Sequence, residues 1–270
     1  MPRGRLPCAS SGDGRSDASG RQEVLVEREQ ILTQAVGRLQ SGGSRREFMR
    51  LAGLLGGALV LANCGKDDAT SPTSSNVSLN FAQALDVLKY AFALEALEAD
   101  FYTKVVANGS FSTAFSSATE RTLLTDIRDH EVAHREFFKA AITANGGTAP
   151  TLSTRYPSSV DFTSRTSVLA TAKTFEDLGV SAYNGAARYL ASSANVGLLT
   201  IAGKVVSVEA RHASAIRDLI SPDTDAFANV SDLASIGAVE ASGLDAKASP
   251  TAVLAAAQPF INETITATGI

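Results

Sequence analysis

Four glutamates stand in this chain where helical periodicity reserves places for core side chains. The first long helix-compatible run, Leu79 to Ala107, has no proline or glycine and ends at the stop Asn108-Gly109. Its stripe of Leu88, Phe92, Ala99, Tyr102 and Val106 contains Glu95. A capping box, Ser117-Ala-Thr-Glu120, opens a second run that reaches Ala144 before Asn145-Gly146-Gly147. There Glu131 and His134 share a face with Leu124, Ile127, Phe138 and Ala141. The third run, Ser164 to Ala191, places Glu176 among Leu169, Ala172, Val180, Tyr183, Ala187 and Leu190. The fourth, Asn195 to Ile220, aligns Glu209 and His212 with Ala202, Val205, Ile216 and Leu219 and stops at Ser221-Pro222. Four long helices of similar length predict an all-α bundle. The tail, 221–270, predicts a C-terminal extension packed on that bundle, with short helices near Ala226 to Ala241 and Pro250 to Phe260.

An unpartnered buried carboxylate costs several kcal/mol or takes up a proton. Four of them on facing helices repel one another, so positive charge is expected between them. Two divalent cations would cancel four carboxylates. Only three histidines occur in the chain, and two form Glu-x-x-His, as Glu131 with His134 and Glu209 with His212. Residues three apart share a helix face. One Glu from each of two helices, with Glu-x-x-His from each of two others, is the donor set of dimetal carboxylate bundles. The chain also repeats itself. Tyr102 follows Glu95 by seven residues and Tyr183 follows Glu176 by seven, so each tyrosine is expected above the glutamate of its own helix.

Residues 79–220 therefore resemble the ferritin-like superfamily, and the body looks like the exported ferritin-like domain family. The string Ala93-Leu-Glu-Ala-Leu-Glu-Ala-Asp-Phe-Tyr102 carries the narrower likeness, with Gly243-Leu-Asp, Pro250 and Val253-Leu254 in the tail. The resemblance implies a ferritin-like four-helix bundle whose metal ligands are Glu95, Glu131, His134, Glu176, Glu209 and His212. It implies that Tyr102 and Tyr183 neighbour those ligands and are the candidates for a catalytic role beside them.

Rival readings share these residues. Glu98, on an adjacent stripe with Leu94, Phe101 and Val105, competes with Glu95. His130-Glu131-Val-Ala-His134 spells His-Glu-x-x-His, the zinc-protease motif, which needs a third protein ligand. Ala140 stands where the next histidine would be, and this reading leaves Glu209 and His212 unused. In a bundle, His130 points about 100° away from Glu131 and lies at the surface or beside the ligands. A metal-free bundle would pair the polar residues with one another, but no core lysine or arginine is evident to help.

Charge divides the chain. Residues 1–64 carry nine Arg and six Asp or Glu, a net of +3, and the remainder carries fifteen basic and twenty-two acidic residues, a net of −7. The acidic body excludes a nucleic-acid partner and suits cations. Residues 1–43 read as a long leader or as the product of a misassigned start, and 44–64 pair Arg45-Arg46 and Phe48 with an apolar run from Leu51 to Ala62. That pattern resembles a twin-arginine export signal. Leu61-Ala62-Asn63-Cys64 resembles a lipoprotein cleavage box, which would put a lipid on Cys64 as the contact with the membrane. Residues 65–78 read as a flexible tether. A tether disfavours a closed shell, so a monomer or small homo-oligomer in the periplasm or on the outer face of the envelope is expected.

Carboxylate-rich sites with two histidines suit iron or manganese. The expected function is redox chemistry with oxygen or peroxide at two divalent metal ions, in the manner of a ferroxidase. The alternatives are manganese catalase-like dismutation of peroxide, and a non-catalytic metal-binding or stress-protective envelope protein.

Overall fold

A computed structural model describes residues 76–231, 233 and 243–270. The expected leader, the expected export signal with Cys64, nearly all of the expected tether and most of the helix expected at Ala226 to Ala241 lie outside the described residues. The order of elements is β1 (Val77–Asn80), α1 (Ala84–Ala107), a single turn α2 (Phe111–Ala114), α3 (Ala118–Ala144), α4 (Arg165–Ala186), α5 (Val196–Ile220), α6 (Pro250–Ala257) and β2 (Ile265–Thr268). The four long helices contain 24, 27, 22 and 25 residues, enough for about 30 Å or more each. Among the described residues no helix is long and apolar enough to cross a membrane.

The long helices form two tightly packed pairs, α1 with α3 and α4 with α5. Both pairs are antiparallel. Gly147, just past the end of α3, lies against Leu85 at the start of α1. Arg165, the first residue of α4, donates to the carbonyl of Leu219 at the end of α5 (2.8 Å). Arg165 also holds Glu120 at the start of α3 (2.7 Å), so α3 and α4 begin at the same end of the bundle. The chain must therefore cross the full length of the bundle between them, and residues 145–164 do so. One long crossover of this kind characterises ferritin-like topology. Asp100 on α1 pins it by accepting from Thr154 (2.6 Å) and Tyr156 (2.8 Å).

Local chemistry explains most helix ends. Ser117 caps α3 by accepting from the Glu120 amide, but the Glu120 carboxylate serves Arg165 rather than closing the capping box. Ser164 and Ser249 cap α4 and α6 in the same way. Two expectations need correction. The first helix begins at Ala84, not Leu79, because Val77–Asn80 pairs in parallel with Ile265–Thr268. Asn80 then breaks the chain by accepting from the Ala82 amide through its own side chain (3.1 Å). The third helix tightens to a 3₁₀ turn at Ala187–Leu190. In the tail, residues 226–228 form a turn, whereas Pro250–Ala257 is helical and continues as a 3₁₀ turn to Phe260.

The tail docks on α4 where Gly185 leaves space. The Ala248 amide donates to the Ser181 carbonyl (2.9 Å), and the Asn184 side chain donates to the Ala246 carbonyl (2.8 Å). A Cβ at Gly185 would fall 1.8 Å from the Ala248 carbonyl oxygen, which is backbone and cannot turn aside. Gly185→Ala is therefore expected to destabilise the protein by about 1–3 kcal/mol. Chemical denaturation measures this, and an unchanged midpoint would show that the tail is not seated there.

Candidate metal centre

The middle turns of α1, α3, α4 and α5 bring six expected side chains to one place. Glu95, Glu131, Glu176 and Glu209 are each 0% exposed, and His134 and His212 are nearly as deeply buried. Their donor atoms fall into two groups of four, and within each group all lie within 4.8 Å of one another. One group is Glu95, Glu131, His134 and Glu209, and the other is Glu131, Glu176, Glu209 and His212. Glu131 and Glu209 belong to both. The glutamates of the two Glu-x-x-His helices thus stand between two positions, and Glu95 and Glu176 stand at the outer sides. His134 Nδ1 lies 3.2 Å from Glu95 and 3.0 Å from Glu209. His212 Nδ1 lies 2.8 Å from Glu131 and 3.4 Å from Glu176.

The tyrosines correct an expectation. Each bonds the glutamate of the other helix rather than its own. Tyr102 on α1 donates to Glu176 on α4 (2.5 Å), and Tyr183 on α4 donates to Glu95 on α1. The antiparallel crossing of α1 and α4 brings residue 102 beside 176 and residue 183 beside 95.

The sequence model of the ferritin-like domain matches residues 83–222, just over half of the chain and all four long helices. The chain belongs to the ferritin-like domain family. No curated protein matches it.

In this ferritin-like bundle the polar cluster does not satisfy itself. One oxygen each of Glu95, Glu131 and Glu176, both oxygens of Glu209, and Nδ1 of His212 are buried without a hydrogen-bond partner. His212 Nδ1 and Glu131 Oε1 are only 2.8 Å apart, yet the angles do not make a hydrogen bond. The atoms converge on shared points rather than on each other. Orphaned carboxylate oxygens and an orphaned imidazole nitrogen form a hard, anionic donor set, and it fits divalent cations. The cluster is compatible with a dimetal site. The pairing expected of a metal-free core leaves these atoms stranded. A buried arginine does exist, contrary to expectation, but Asp177 occupies it. Arg217 grips Asp177 through Nε (3.0 Å) and Nη2 (2.8 Å) and donates to the Asn229 carbonyl (2.7 Å). This pair escaped the sequence reading because Asp177 and Arg217 lie on different helices with no local signature.

Without cations, the groups compete for protons. Burial pushes the Glu95 carboxyl up to about 7 against the pull of His134. Burial, with Glu131 and Glu95 nearby, raises Glu209 well above the carboxylate range. Burial also raises Glu176, although His212 opposes it. Glu131 is the exception: burial raises it, but His134 and His212 together outweigh burial and hold it well below the usual range. Burial lowers His212, but Glu176 and Glu131 overcome that and lift it to about 11. Burial first, then Glu176 for Tyr102 and Glu95 for Tyr183, push both phenols well up, so both remain hydrogen-bond donors.

Two rival residues also find their places. Glu98 is buried but belongs to neither group of donors. Its Oε1 and the Glu209 Oε2 both lie over Gly179, where a Cβ would sit 3.1 Å from the first and 3.6 Å from the second. Burial and then Glu209 raise its carboxyl well above the usual range. His130 also belongs to neither group, so it does not share a metal-sized space with His134 as a zinc protease requires. It is half-buried, and its ring lies nearly parallel to that of His212, with ring centroids 5.1 Å apart.

Cations must displace the protons held by these groups. Below about pH 7 Glu95 keeps its proton, so binding weakens as pH falls, and it strengthens as pH rises through that value. Apparent Mn(II) affinity at the position held by Glu95 is expected to rise with pH by up to about tenfold per unit below about pH 7, where that carboxyl still holds a proton, and less steeply above it. Calorimetric titration across this pH range reads the slope, and a flat profile would contradict the raised carboxyl values.

Proposed function

We propose that the bundle binds two divalent ions of iron or manganese and performs redox chemistry on dioxygen or peroxide, outside the cytoplasm. The observation that carries the reading is the pair of donor groups sharing Glu131 and Glu209. Glu95 and His134 would hold one ion, Glu176 and His212 the other, with the shared carboxylates between them. Two such ions, when bound, supply a centre able to exchange electrons with a small oxidant. The protein's own part is to exclude water, orient the carboxylates and keep a proton donor at each side. Tyr102 and Tyr183 serve this last purpose, because each holds its phenolic proton on an outer glutamate.

A neighbouring cavity favours dioxygen. It measures about 20 Å³ and is lined by apolar residues including Leu94, Ala182, Leu198 and Ala202, with Tyr183 in its wall. An apolar space of this size takes a small apolar molecule in preference to one that needs several hydrogen bonds. Peroxide needs them and dioxygen does not. Ferroxidase-like chemistry is therefore the leading reading, and manganese catalase-like dismutation the second. A metal-binding envelope protein without turnover is the third.

Export rests on residues 44–64, where Arg45-Arg46, Phe48 and the apolar run toward Cys64 support a twin-arginine signal and a lipid anchor. A tethered monomer or small homo-oligomer follows from that reading.

Iron(II) added to the metal-free protein is expected to consume dioxygen, with little dioxygen released from peroxide by the manganese form. Oxygen-electrode traces separate the two, and the reverse result would favour dismutation. Glu131→Ala removes a ligand shared by both positions. Its loss should exceed the roughly 100-fold that losing an outer partner of a ligand costs. Metal analysis and turnover read this together, and an unchanged content of two ions would sink the assignment.

A further inference from the structure

The motif His130-Glu131-Val-Ala-His134 leaves one histidine that neither group of donors uses. His130 sits on α3 immediately before Glu131, about 100° around the helix from it. That direction points toward α5. There His130 Nδ1 lies 2.9 Å from Nε2 of His212, and the two rings are nearly parallel, 16° apart. His212 turns its other nitrogen, Nδ1, toward Glu131 and Glu176. The same ring therefore faces the donor cluster with one nitrogen and His130 with the other.

We infer that His130 is a positioning residue that locks the His212 ring and makes the two metal positions unequal. The inference rests on the dimetal reading above. Its chemistry is set by imidazole itself. A ring that offers the Nδ1 lone pair to a cation must carry its proton on Nε2. That proton can only be donated, and Nδ1 of His130 is the acceptor within reach. His130 then carries its own proton on Nε2. A hydrogen bond at the far nitrogen of a ligating histidine fixes its tautomer and ring angle and increases its basicity. Among the described residues no hydrogen bond to Nε2 of His134 is found, so the arrangement serves one position and not the other. The repeat that relates the two halves of the bundle is thereby broken. The position served by His212 binds more tightly and fills first.

The test is Mn(II) titration of the metal-free protein by calorimetry, with variants at His130. The wild-type protein should show two unequal steps. His130→Leu, which keeps bulk but removes the acceptor, should weaken the tighter step about 10- to 100-fold and leave the other within about threefold. His130→Asn puts a carbonyl oxygen near the place of Nδ1 and should restore most of the loss, which a purely structural role would not. Equal steps in the wild-type protein, equal loss of both steps in His130→Leu, or no rescue by Asn would overturn the inference. A second measurement needs neither metal nor variant. Nitrogen-15 spectra of the metal-free protein should show a slowly exchanging proton on Nε2 of His212, and its absence would overturn the inference even if two ions bind. Failure of the wild-type protein to bind Mn(II), with that proton present, would instead remove the dimetal reading and the unequal positions with it.

Discussion

The cost of holding four carboxylates together in a dry interior governs this structure. Helix packing supplies the enclosure, but it cannot supply the charge balance. Two histidines, two phenols and the protons that burial retains cover part of the deficit. Orphaned oxygens on all four glutamates mark what is left. A core made this way gives up stability in the metal-free state, and a ligand that binds only the folded form returns it. The remainder of the bundle is conventional, with Phe101, Phe175, Leu124 and Ile216 closing around the polar middle.

Much of this was legible in the sequence because helices carry their own signals. Ser117 and Asn145 bracket α3, and the spacing of three between Glu131 and His134 puts both on one inward face. The polar residues in the stripes of four separate helices then required a common meeting point. What escaped was everything set by contacts between helices. Seven-residue spacing places Tyr102 over Glu95, but it cannot reveal that the tyrosine reaches across to Glu176. The direction of His130 could be computed, but not that α5 would fill that direction with His212. Strand β1 has four residues, and its partner lies at the opposite end of the described chain, so no local pattern distinguishes it from the start of a helix.

The parts outside the bundle act as fasteners. The crossover is held to α1 through Asp100 and to the tail through Ser153, whose amide and hydroxyl both donate to Glu263 (2.8 Å each). The tail is held to α4 through Ser181 and Asn184, and its last strand lies along β1. Each fastener joins segments distant in sequence. Together they resist sliding of one helix pair along the other, a motion that would disperse the glutamates.

The exchange of tyrosines across the bundle has an architectural implication. The pair α1 and α3 owns three of the six clustered donors and one phenol, and the pair α4 and α5 owns the same inventory. Yet neither hairpin can dress its own outer glutamate, since the hydroxyl required always arrives from the opposite hairpin. Each half is a lock whose key is cut on the other half. A lone hairpin of this design is chemically unfinished, and its natural complement is a second hairpin like itself facing it across a twofold axis.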